Sequence, residues 1–105
     1  MLLIREVFHC KPGKVRPMVE KFLKMSALNE KLGMGRSRVM TDFSGERYWT
    51  IVSEWEVASL AAFEQMMQGQ GQGQNEDDMK QFEEIMKGYH DLVDHGHREI
   101  YKIEG

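Results

Sequence analysis

Cysteine is nearly absent: Cys10 is the single one in 105 residues, which excludes an intramolecular disulfide and fits a reducing cytoplasm. An excess of either charge is also missing. Fourteen basic against seventeen acidic side chains leave a net charge of −3, with a sequence pI of about 5.8. No basic face is on offer to neutralise phosphates, so no nucleic-acid partner is expected. Long apolar runs are lacking too. The longest uncharged stretch, Gln65 to Asn75, is mostly Gly and Gln, so no bilayer span and no membrane partner is expected. Met1-Leu2-Leu3-Ile4 meets Arg5 and Glu6 at once, too soon for the apolar region of a signal peptide. A cytoplasmic location is therefore expected. What is present is ordinary for a globular protein: 41% apolar and 30% charged residues, in a length that suits one domain spanning 1–105. The odd feature is nine methionines.

Periodicity orders the chain. Leu2 to Cys10 is rich in β-branched and aromatic residues with polar interruptions and reads as a strand, which Lys11-Pro12-Gly13-Lys14 breaks. Val15, Met18, Val19, Phe22, Met25 and Leu28 then recur at helical spacing, and Gly33 stands where a left-handed C-cap belongs. Alternation in Arg36–Phe43 and again in Arg47–Glu56, around Ser44-Gly45-Glu46, predicts a β-hairpin. Leu60, Phe63, Met66 and Met67 mark a second helix, ended by a Gly/Gln tract at 69–74 that reads as a flexible loop. Asn75 is a good N-cap for a third helix, its acidic first turn favoured by the helix dipole, reaching about Val93. Gly96 precedes a last strand, His97 to Ile103.

The order β-α-β-β-α-α-β predicts an α+β fold: the ferredoxin-like split βαβ, with a four-stranded antiparallel sheet and helices on one face. One layer of helices leaves the other sheet face open, and the strands carry large apolar groups on both faces. A homodimer closing sheet against sheet would bury that area.

At this point the residues resemble a known superfamily. The first strand running into Cys10-Lys11-Pro12-Gly13-Lys14 and an amphipathic helix resembles the opening of the dimeric α/β-barrel proteins. Residues 53–64, from Ser53-Glu54-Trp55 to Phe63-Glu64, resemble their third strand and second helix. Arg98 to Ile103 is similar to the closing strand of NIPSNAP-like members. The resemblance spans nearly the whole chain and implies a dimeric α/β barrel. The superfamily holds cofactor-free monooxygenases, haem-degrading enzymes, isomerases and members without known activity, so fold alone does not choose among them. There are departures. NIPSNAP-like strands usually carry a basic residue where Glu6 stands, with Arg5 displaced by one position and hence onto the other face. The Gly/Gln tract is longer and simpler than the usual link.

Period-two alternation gathers the candidate site. Arg5, Val7 and His9 share one strand face, as do Arg36 and Arg38, then Thr50, Val52 and Glu54, then His97, Glu99 and Tyr101. Turned inward, these faces make a partly apolar pocket for a small hydrophobic, aromatic or anionic ligand. In that reading His9, Glu54 and Tyr101 are catalytic, His9 as general base, and Arg5, Arg36, Arg38, Thr50 and Glu99 bind substrate. The simpler alternative makes Arg38 and Glu54 a cross-strand ion pair.

Other clusters carry less. His90, Asp94, His95 and His97 are ligand types without a fixed metal-ligand spacing, so no metal is expected. Ile85 to His90 loosely resembles the helix bearing the proximal histidine of haem-degrading relatives, with Trp55 at their strand tryptophan. Their first-strand asparagine has no counterpart, since Glu6 and Val7 stand there, so no cofactor is expected. Cys10 and His9, being adjacent on a strand, point to opposite faces, which leaves Cys10 a structural thiol. The helical methionines read as gap-filling core, while Met34 and Met40 bracket the second strand and could line a cavity. Two functions follow: a cofactor-independent monooxygenase or isomerase acting on a small aromatic or phenolic compound, or a non-catalytic dimeric binding module with a filled barrel.

Overall fold

The computed structural model describes residues 1–33, 35–45, 47–67 and 76–105. Four strands and three helices follow in the order β1 (Leu2–Cys10), α1 (Val15–Lys31), β2 (Arg38–Thr41), β3 (Thr50–Val57), α2 (Leu60–Met67), α3 (Glu76–Met86) and β4 (Val93–Lys102). The sheet order is β2-β3-β1-β4 with every neighbouring pair antiparallel, the ferredoxin-like arrangement. The expected Gly/Gln loop at 69–74 and the N-cap at Asn75 fall outside the described residues.

The core lies on one side of the sheet because alternate strand residues point there. Ile4 and Cys10 of β1, with Ile51 and Val57 of β3, are buried on that face. Met18 and Val19 of α1 pack on Cys10 and Ile51, while Phe63 of α2 packs on Ile4 and Val57. The thinnest dimension, 19 Å, is that of one helix layer on one sheet. Arg5, Val7 and His9 look the other way.

Four boundaries differ from the sequence reading. β2 is shorter than 36–43 and β3 starts three residues after Arg47. The turn between them is held by side-chain chemistry, since Asp42 Oδ1 accepts the Thr50 N–H at 2.8 Å. Trp49 sits at φ 63°, a left-handed conformation a bulky residue rarely adopts and no strand contains. The third helix stops at Met86 instead of Val93, because Gly88 at φ 82° turns the chain into a short 3₁₀ turn, Tyr89–Asp91. Strand β4 therefore begins at Val93, four residues before His97, and Gly96 lies within it. A Cβ on Gly96 would meet Phe8 Cδ1 at 2.7 Å and the Val7 carbonyl oxygen at 3.0 Å, so this glycine allows a close approach of β4 to β1.

Candidate functional site

The face opposite the helices collects most of the expected polar set. Arg5 lies between Glu54 on β3 and Glu99 on β4, its partners in the strand registers. Its Nε donates to Glu54 Oε2 at 2.7 Å, and Nη1 lies 3.8 Å from Glu99 Oε1. Glu99 also accepts from the Tyr101 hydroxyl at 2.8 Å and from His97 Nε2 at 2.7 Å. The Arg5 guanidinium stands 5.6 Å from the Tyr101 ring centre. The bonds from His97, then from Tyr101, hold the Glu99 carboxyl below its usual range, and that carboxylate in turn pushes the Tyr101 phenol up. The Arg5 guanidinium is raised chiefly by its bond to Glu54.

His9 Nδ1 lies 3.2 Å from Thr50 Oγ1, while that hydroxyl donates to the Arg47 carbonyl. A hydroxyl that donates to the carbonyl is open to accept from an imidazole N–H at Nδ1. The His9 ring is 4.6 Å from that of His95 and 6.3 Å from that of His97. Arg38 is the register partner of Glu54, but the bond to this carboxylate comes from Arg5. Arg36 precedes β2 and turns to Glu30 of α1, with Nε 3.9 Å from Oε2. The structure thus brings together Arg5, His9, Arg38, Thr50, Glu54, Glu99 and Tyr101 on one sheet face, and places Arg36 at its margin.

A walled cavity lies on the other side, between sheet and helices. It measures about 260 Å³ and is lined by Phe22 and Met25 of α1, Met66 of α2, Phe82 of α3, and Glu6, Ser53 and Trp55 of the sheet. Glu6 and Trp55 are diagonal neighbours on β1 and β3, since Glu6 pairs with Ser53 and Ile4 with Trp55. Glu6 Oε1 accepts from Arg98 Nε, and the Arg98 guanidinium lies 5.0 Å from the Phe63 ring centre. The Trp55 indole N–H is buried and has no hydrogen-bond partner among the described residues. Such an orphan donor costs about 1–3 kcal/mol unless something accepts from it. A second space, a groove of about 1010 Å³, runs past Arg36, Arg38, Glu54 and Glu56 and shares Gly35, Ser37 and Trp55 with the cavity.

The sequence pattern points to a pocket on the open face, whereas Glu6 and Trp55 line a cavity on the helix side, with Arg98 bonded to Glu6 beside it. One signal was present: Glu6 is a lone charge on a strand face otherwise made of Leu2, Ile4, Phe8 and Cys10. Met25 and Met66, read as core filling, line the cavity, whereas Met40 shares the strand face of Arg38. Met34 falls outside the described residues. Cys10 is buried, and burial first, Asp42 second, push its thiol up, away from a reactive thiolate. His90 stacks on Tyr89, 3.9 Å between ring centres, and lines a shallow space beside β4 rather than the Trp55 cavity. Among the described residues no group of three or more His, Cys, Asp or Glu is arranged to hold a metal ion.

No family model and no curated protein matches the sequence. Solved structures do match the fold. An uncharacterized NIPSNAP domain protein from Burkholderia xenovorans superposes with a TM-score of 0.74 at 12% identity, covering 99% of this chain and 95% of that one. A NIPSNAP-like domain protein from the same organism gives 0.75 at 13%, covering 98% and 84%. A NIPSNAP family protein from Agrobacterium tumefaciens gives 0.72 at 12%, covering 98% and 92%. The chain therefore has the ferredoxin-like fold of NIPSNAP domain proteins over almost its whole length. No described helix is long and apolar enough to cross a membrane.

Proposed function

We propose that this chain binds a flat, largely apolar small molecule in the cavity between its sheet and its helices, and does so as a homodimer. The observation that carries the reading is the buried Trp55 N–H, without a partner among the described residues, in the wall of an aromatic- and methionine-lined space. A cavity of about 150 Å³ takes a benzene ring. The 260 Å³ here suits a larger ring system carrying an oxygen that accepts from the indole. Glu6 supplies the complementary acceptor, which favours a phenolic hydroxyl on the ligand and disfavours an anionic one.

The monooxygenase or isomerase reading needs a base beside the ring. Glu6, held by Arg98, is the carboxylate in the lining and the group to which we assign phenol deprotonation, in place of His9 with Glu54 and Tyr101. Those three, with Arg5, Arg38, Thr50 and Glu99, are assigned to the dimer's barrel interior. One observation favours the non-catalytic alternative for that face: its charged groups are bonded to one another, Arg5 to Glu54 and Glu99 to His97 and Tyr101.

The test titrates the protein into 2-naphthol and follows the fluorescence of the naphthol itself, a reporter that Trp55→Phe leaves in place. Saturable quenching is expected, and it is weakened about tenfold in Trp55→Phe, which keeps a ring but removes the donor. Equal affinity in the variant and the wild type would refute the role of the indole.

A further inference from the structure

We propose that the outer edge of β4 pairs with the same edge of a second copy of this chain, antiparallel, about a two-fold axis at Arg98. The inference rests on the homodimer reading and names the strand through which the copies join. The hydrogen-bond pattern shows which groups are on offer. The Ile103 N–H donates to the Met1 carbonyl at 3.1 Å, and in an antiparallel ladder every second pair from there is bonded: 101 with 3, 99 with 5, 97 with 7 and 95 with 9. The backbone N–H and carbonyl groups of Gly96, Arg98, Ile100 and Lys102 therefore point the other way, out of the sheet. β4 is the last strand in the sheet order, with no strand beyond it among the described residues. A ten-residue edge of this kind is a template for a further strand.

Two side-chain features set the register. Ile100 is left 41% exposed on the helix side of the sheet, the side of its register partner Ile4. Gly96 carries no side chain on that same side, and a hollow of about 400 Å³ adjoins it, with Phe8 and Val93 in its wall. When one strand pairs with its own copy about a two-fold axis, Ile100 stands opposite Gly96 of the second copy in a single register, the one in which Arg98 meets Arg98. Residues 96, 98 and 100 all present their backbone groups outward, so this register is also one in which the new ladder can bond. In it, Ile100 of each copy lies beside the Phe8 ring of the other, which leans so far over Gly96 that a Cβ there would stand 2.7 Å from it.

The same register aligns the charges. His97 stands opposite Glu99 of the second copy and Asp94 opposite Lys102, and the symmetry makes each pair twice. Asp94 and Lys102 are exposed, and their ion pairs within the chain are long, 3.5 Å to His95 and 3.8 Å to Glu104. Arg98 does face Arg98, but each guanidinium is turned to its own chain, where Nε donates to Glu6 and the Phe63 ring centre lies 5.0 Å away. Moving the axis forward to Ile100 would set Arg98 against Lys102. Moving it back to Gly96 would set His95 against His97, and either shift takes Ile100 away from the glycine.

The test combines light scattering with backbone amide hydrogen exchange on the whole chain, in wild type, Ile100→Ser, Asp94→Lys, Lys102→Asp and the Asp94→Lys/Lys102→Asp double variant. In the wild-type dimer the Arg98 and Ile100 amides should exchange slowly, although in one copy alone they lie on the outer edge, and their protection should fade on dilution. Ile100→Ser should raise the dimer dissociation constant about a hundredfold, since an apolar seat is lost twice. Each single charge reversal should raise it about tenfold, and the double variant should return it to within about threefold of wild type. A wild-type mass of one chain at micromolar protein overturns the homodimer reading and the seam together. A wild-type dimer whose Arg98 and Ile100 amides exchange freely, or whose dissociation constant is unchanged in Ile100→Ser, overturns the seam and leaves the homodimer reading standing. A double variant that dimerises no better than the single ones overturns the register.

Discussion

Replacing Gly96 by alanine tests the joint that sets β4, and with it Arg98, against the rest of the sheet. The added methyl meets Phe8 Cδ1 at 2.7 Å, Phe8 Cε1 at 3.0 Å and the Val7 carbonyl oxygen at 3.0 Å. The Phe8 ring cannot swing aside freely, because it packs against the core of Cys10, Met18, Val19 and Ile51 and lies 5.4 Å from the Phe22 ring. The carbonyl belongs to the central strand and cannot move without disturbing both of its ladders. Overpacking of this kind costs typically about 1–3 kcal/mol, and a backbone contact places it in the upper half of that range. For a domain of this size about 2–3 kcal/mol lowers Tm by roughly 10–20 °C. Thermal unfolding followed by circular dichroism reads the loss. A change in Tm below about 3 °C would show that β4 gives way cheaply and would refute the close-packing account of this glycine.

The cluster around Glu99 makes a pH prediction with a worked sign. Glu99 is lowered in the fold, so its contribution to stability is present above its unfolded value and is lost as pH falls through the folded one. Tyr101 is raised, so its contribution is present below the unfolded phenol value and is lost as pH rises through the folded one. In Glu99→Gln the Tyr101 phenol should fall back toward its ordinary value, read by ultraviolet titration of phenolate; an unchanged titration would contradict the assignment. Dimer closure over the open face predicts a light-scattering mass twice 12.3 kDa at micromolar protein. A mass near that of one chain would leave the barrel unformed.

What the sequence disclosed follows from which forces are local. Strand β1 is legible from Leu2 to Cys10 because alternation ends at Pro12 and Gly13, both of which act within a residue or two. The hairpin boundaries are not, because the Asp42 carboxylate and the left-handed Trp49 fix them, and neither residue type advertises that use. Gly96 misleads for a related reason. A glycine needed for space and a glycine that breaks a strand look the same until Phe8 is known to lie beneath it. The open face was readable as a set because strand residues two apart must share a side. Its pairings were not. Choosing Arg5 over Arg38 for Glu54 requires knowing that β3 lies between β1 and β2.

The inner cavity needed more than register, since Phe82 and Met66 reach it through the docking of α3 against α1 and of α2 against β3. Yet its decisive residue stood in plain sight. Arg5 and Glu6 are neighbours in sequence, and alternation sends them to opposite faces. Arg5 joins Glu54 and Glu99 on the open side, whereas Glu6 joins Arg98 beside Trp55 on the helix side. A charge on the apolar face of a central strand is costly unless it is paired. Arg98 supplies the pairing, and Gly96, two residues earlier on the same face, lies close over Phe8 of β1. The missing side chain at 96 and the charged ones at 6 and 98 together border the shallow space beside β4, and of the three it is Glu6 that also lines the cavity.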